Sequence, residues 1–143
     1  MSSVPLHYVD LRAFCYATED EDRVETALRT FLPADAELER AETEGHFGDP
    51  IVVLSIRLER ADEVRAVFET LRALPEDEYD RLLAELDERI DEDTNLFVTL
   101  SKQAAYEGDV RLGDGITLRG KVEAYPAKHA AAVENAREFL EAS

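Results

Sequence analysis

From Val9 to Ala17 every second residue of this chain is apolar. Val9, Leu11, Ala13, Cys15 and Ala17 fall on one side; Tyr8, Asp10, Arg12, Phe14 and Tyr16 fall on the other. A period of two is the signature of a strand with one buried face. The pattern predicts a strand over Leu6–Ala17, and it recurs twice. Over Ile51–Leu58, Val52, Leu54, Ile56 and Leu58 alternate with Ile51, Val53, Ser55 and Arg57. Over Asn95–Ser101, Leu96, Val98 and Leu100 alternate with Phe97, Thr99 and Ser101. Residues 37–43 read as a polar strand suited to an edge. Val110–Leu112 and Ile116–Glu123 read as a hairpin about the turn signal Asp114-Gly115. Strands that follow one another without an intervening helix favour antiparallel pairing.

Helical periodicity fills the intervals. Thr18 with Glu21 three residues on has the form of a capping box, and Val24, Ala27, Leu28 and Phe31 make one apolar stripe. Asp62 is placed to cap a second helix that buries Val64, Val67, Phe68 and Leu71. Pro75 suits the first position of a third, with Tyr79, Leu82, Leu83, Leu86 and Ile90 inward. A polar loop is expected after Ser101, and Pro126 introduces a last helix to about Leu140. The order β-α-β-β-α-α-β-β-β-α defines an α+β fold. Its sheet is mainly antiparallel, with the helices gathered on one face. The 143 residues fit one domain, 1–143.

Several function classes are excluded by what the pattern lacks. No apolar run approaches the ~18 residues that suggest a membrane span. Met1–Pro5 has neither the basic stretch nor the apolar run of a secretory leader, and Cys15 is the only cysteine. A cytoplasmic location is therefore expected. His7, His46 and His129 are far apart and lack metal-ligand spacing, so surface or capping roles fit them better. Cys15 belongs to the apolar side of its strand, where a buried inert thiol is expected rather than a nucleophile. Gly45 and Gly48 precede Pro50 and a strand, whereas a dinucleotide fingerprint requires a helix there. The reading is of a protein that is not an enzyme and needs no cofactor or metal.

Charge is the most informative property. The chain carries 33 acidic and 16 basic residues, a formal net charge of -17. The acids are dispersed along periodic segments, which argues against disorder and against an acidic tail. Thirteen arginines stand against three lysines. Many acids with few lysines match a halophilic protein, for which molar salt screens self-repulsion. Yet Lys102, Lys121 and Lys128 all fall in residues 101–130, the one stretch that is not acidic. A surface facing a polyanion would explain that clustering; lysine stems covering apolar surface is the alternative.

If helices cover the face of Val9, Val52, Leu96 and Ile116, the opposite face shows Tyr8, Arg12, Phe14, Tyr16, Arg57, Phe97, Arg119 and Lys121. Aromatic and basic groups on an open sheet can stack bases and hold phosphates. The candidate RNA-binding residues are Lys102, Arg111, Arg119 and Lys121 for phosphate, with Phe14, Tyr16, Phe97 and Tyr106 for stacking. The alternative is a homodimer interface on the same face, to which Ile51 and Val53 belong, in a scaffold that binds no nucleic acid.

Three blocks carry a family resemblance. They are Ala17-Thr18-Glu19-Asp20-Glu21-Asp22-Arg23-Val24, Glu44-Gly45-His46-Phe47-Gly48-Asp49-Pro50-Ile51, and Arg111-Leu112-Gly113-Asp114. In these the chain resembles an archaeal family of predicted RNA-binding proteins described as exosome-associated subunits. The resemblance implies a fold similar to the ribosomal protein that binds 5S ribosomal RNA. It also implies an archaeal source and a role accessory to RNA processing or decay, with RNA and an RNA-processing complex as partners. It supplies no catalytic residues.

Overall fold

In the computed structural model, which describes residues 5–45, 47–125 and 128–141, five strands form one antiparallel sheet. They are β1 (Leu6–Cys15), β2 (Glu39–Glu44), β3 (Pro50–Leu58), β4 (Asn95–Ser101) and β5 (Gly115–Val122). The spatial order is β2-β3-β1-β5-β4, which puts β1 in the middle. The helices are α1 (Glu21–Arg29), α2 (Ala61–Leu71), α3 (Glu76–Ala84), α4 (Leu86–Arg89), α5 (Lys102–Tyr106) and α6 (His129–Glu141).

The period-two pattern decides which face is covered. Val9, Leu11, Ala13, Cys15, Leu54, Leu58, Leu96, Val98, Leu100, Ile116 and Leu118 are buried, in one cluster with Val24, Leu28, Val67, Phe68, Leu82 and Ala136 from the helices. Phe68 meets Phe139 of α6 edge-on, with ring centroids 5.4 Å apart. Burying a side chain of this size contributes about 1.5–3 kcal/mol. The α+β expectation with helices on one face therefore holds. So does the edge position of the polar strand, for β2 is exposed at every residue.

Local details differ from the sequence expectation, each for a visible reason. Asp20, not Thr18, caps α1; its side chain accepts from Asp22 N at 2.9 Å. Glu21 instead pairs with Arg40 of β2. Ala17 lies past the strand and is exposed. Arg60 occupies the cap position of α2, while Asp62 sits in the first turn and pairs with Arg60. Pro75 is the residue before α3, and the expected single helix divides at Glu85 into α3 and α4. Residues 110–112 make only an isolated bridge, Leu112 to Leu100, so β5 hairpins with nothing there and instead lies between β4 and β1. The expected polar loop after Ser101 contains α5. A register shift between Leu6 and Tyr8 turns Leu6 into the core beside Val9. His46, expected as a surface or capping histidine, and Pro126, expected to introduce the last helix, lie outside the described residues.

Candidate functional site

The uncovered face is built by cross-strand register. In β1, Asp10 lies opposite Arg57 of β3 and Arg119 of β5. Arg57 Nε donates to Asp10 Oδ1 at 2.8 Å and its Nη2 to Oδ2 at 3.0 Å. Arg119 Nη2 donates to the same Oδ2 at 2.7 Å. One carboxylate therefore fixes two guanidinium groups on the sheet. Burial pushes the Asp10 carboxyl up, but the hydrogen bonds from Arg57 and Arg119 outweigh it and hold it below the ordinary aspartate range.

Aromatic rings frame these cations. The Arg57 guanidinium lies 3.8 Å from the Tyr8 ring centroid, and Arg12 lies 5.6 Å from that of Phe14. Phe97 stands opposite Arg119 across the β4–β5 pair and is 38% exposed. A shallow groove runs over Asp10, Arg12, Ser55, Arg57, Phe97 and Arg119, with Glu39 at its margin. In a chain of net charge -17, this groove carries more cations than carboxylates.

The sequence-derived candidates do not form one patch. Phe14, Phe97, Arg119 and Lys121 share the open face. Lys121 Nζ donates to the Asp93 carbonyl at the rim. Tyr16, Lys102 and Tyr106 gather instead at the sheet end, where α1 and α5 meet. There Lys102 Nζ donates to Phe14 O and to Glu19 Oε1, both at 2.8 Å, and lies 5.3 Å from the Tyr16 ring centroid. Lys102 is thus a tie between α5 and the end of β1. Arg111 stands apart from both groups. Its Nε donates to Glu78 Oε2 at 2.7 Å, while Leu112 N donates to Glu78 Oε1 at 2.7 Å.

Asp10 is the residue that sequence reasoning missed. Alternation placed it on the open face, but among so many acids nothing marked it; its meaning comes from partners 47 and 109 residues away. Arg57 was placed on the face without a role. Among the described residues, no three His, Cys, Asp or Glu side chains gather as a metal site, and no helix is long and apolar enough to cross a membrane.

Residues 8–122 match the family model described as RNA binding. The chain is 38% identical over 144 residues to a Pyrococcus abyssi protein named as an RNA-binding protein, with 94% of each covered. Among solved structures, it resembles a DUF54 protein of Methanothermobacter thermautotrophicus. The TM-score is 0.79 and the identity 43%, covering 95% of this chain and 98% of that one. A second, from Archaeoglobus fulgidus, has a TM-score of 0.84 and 32% identity, covering 94% and 99%.

Proposed function

This chain belongs to the family described as RNA binding, and we propose that it binds single-stranded RNA across the open face of its sheet. The observation that carries the reading is the Arg57–Asp10–Arg119 arrangement between Tyr8, Phe14 and Phe97. Guanidinium groups held in place lose less freedom when they meet phosphate. Phe97, exposed beside them, and the half-buried Phe14 can take unstacked bases. Arg119 and Lys121 serve the backbone, with Arg57 and Arg12 added to the set; Phe14 and Phe97 serve the bases. Lys102 shapes the sheet end that carries Tyr16, and Tyr106 offers a separate ring there. Arg111, joined to Glu78, is a further proposed phosphate contact.

Dispersed acids and scarce lysine support a protein adapted to molar salt, and salt sets the balance of forces. Phosphate contacts gain by counterion release, and that gain shrinks as salt rises. Stacking, about 1–3 kcal/mol per base, then carries most of the affinity. The reading is of a cytoplasmic binding module, not an enzyme. A role accessory to RNA processing or decay, within an exosome-associated complex, is supported by the three resembling sequence blocks; co-purification of exosome subunits with the tagged chain tests it.

The rival is a homodimeric scaffold that uses the same face. Partly buried Ile51 and Val53 favour it. The edge strand β2 argues against it on that side, because Glu39, Arg40, Glu42 and Glu44 blunt strand-to-strand addition. Ultraviolet crosslinking of the chain to single-stranded RNA, followed by peptide mapping, separates the two. RNA binding predicts adducts on the peptides that hold Tyr8, Phe14 and Phe97. Dimerisation without any adduct would favour the scaffold.

A further inference from the structure

A second concavity lies at the sheet end, between the start of α1, α5 and the turn at Asp114, and encloses about 680 Å³. Its walls are held in place. Asp20 caps α1, and Ser101 Oγ accepts from Ala104 N at 3.1 Å to cap α5. Thr30 Oγ1 donates to Ala105 O at 2.8 Å and ties the two helices. Lys102 is committed to Phe14 O and Glu19, and Glu19 also accepts from Tyr16 N at 3.1 Å.

Tyr106 and Asp114 both line the cleft. Tyr106 is 38% exposed, with the Arg23 guanidinium 5.3 Å from its ring centroid. Asp114 presents an exposed carboxylate with no hydrogen-bond or ion-pair partner among the described residues. Its backbone is nonetheless fixed, because Lys102 N donates to Asp114 O at 2.9 Å. The close approach depends on Gly115, where φ is +111° and a Cβ would stand 2.5 Å from Lys102 Cβ.

We propose that this cleft takes a guanine base of single-stranded RNA, stacked on Tyr106 and read by Asp114; the inference rests on the RNA-binding reading above. A carboxylate only accepts hydrogen bonds. Guanine alone among the four bases presents two adjacent N–H donors, N1–H and N2–H, on its Watson–Crick edge. Adenine and cytosine present one donor beside an acceptor, and uracil one donor between two acceptors. Carboxylates lining the cleft also repel phosphate, so the base enters and the backbone stays outside. The Arg23 contact orients the tyrosine ring as a platform.

The test measures affinity of the full chain for a labelled oligouridine and for the same strand with guanosine, inosine or adenosine at its centre. The parent is expected to bind the guanosine strand about tenfold more tightly than oligouridine. Inosine, which lacks the N2 amino group, should recover only part of that gain, and adenosine little. Asp114→Asn should remove the guanosine preference while oligouridine binding stays unchanged. Tyr106→Leu should lower the affinity for guanosine and inosine strands together. Binding of all strands with equal affinity, or a preference that survives Asp114→Asn, would overturn the cleft assignment and leave RNA binding standing. Absence of binding to any strand would overturn both.

Discussion

Arg57 and Asp10 face each other across β3 and β1, joined by two hydrogen bonds of 2.8 and 3.0 Å. The fork–carboxylate geometry fixes the direction of the guanidinium, and Arg119 shares the same carboxylate. The folded state therefore favours the ionised form of Asp10, whose carboxyl lies below the ordinary aspartate range. A depressed carboxylate stabilises the fold above its unfolded pKa, about 3.9. That contribution disappears as pH falls through the lower folded value. Asp10 should accordingly titrate below the ordinary aspartate range in a carboxyl-resolved NMR titration, and Asp10→Asn should reduce the loss of stability on acidification. An ordinary titration midpoint would show that the two arginines do not hold it.

Glu78 gives a stability test away from the open face. It is buried, accepts from Arg111 Nε and from Leu112 N, and holds residues 111–112 beside α3. The hydrogen bond from Arg111 is the main reason its carboxyl lies below the ordinary glutamate range; burial opposes this and the Leu112 amide reinforces it. Glu78→Ala leaves the Leu112 amide without its acceptor and should cost about 1–3 kcal/mol. Denaturant unfolding at neutral pH reads this directly, and the difference should narrow in acid as Glu78 protonates. A change within about 0.5 kcal/mol would mean that the pair contributes little.

Cys15 reports on the strand register. It is 4% exposed on the helix-covered face. Burial, with Glu19 and Glu21 nearby, pushes its thiol above the ordinary range. A thiol reagent should modify the native chain slowly and the denatured chain fast. Rapid native labelling would require the one-residue slip that exchanges the two faces.

The charge excess predicts a salt-dependent melt. The Debye length is about 10 Å at 0.1 M salt and about 3 Å at 1 M, so dilution exposes the acids to one another. The melting temperature should rise steadily with potassium chloride. A melt that is the same in dilute and molar salt would remove the argument for salt adaptation.

The fold was legible where its signals are local. The period of two from Val9 to Cys15, and again over Asn95–Ser101, assigns the covered and open faces without reference to any partner strand. Signals that depend on distant partners were not legible. Residues 110–112 resemble a strand beside a turn, yet β5 pairs with β4 and with the central β1 instead. Leu6 reaches the core only through a bulge that no residue type announces. Lys102 reads as a loop cation, but its ammonium is spent on Phe14 O and Glu19, contributed by segments 88 and 83 residues away. The aromatic and basic character of the open face was visible in the alternation; the carboxylate that organises its arginines was not.

Arg57 and Arg119 are the groups proposed to hold RNA on the open face. The most direct test compares the parent with Arg57→Gln/Arg119→Gln by fluorescence anisotropy on a labelled single-stranded RNA, at the lowest potassium chloride concentration at which both proteins stay folded, where phosphate contacts contribute most. Glutamine keeps a hydrogen-bonding group beside Asp10 and adds no new carboxylate. The parent should bind, and the variant should bind at least about tenfold more weakly, a difference of about 1.4 kcal/mol, with a melting curve that stays cooperative. Equal affinity of the two proteins for RNA would contradict it.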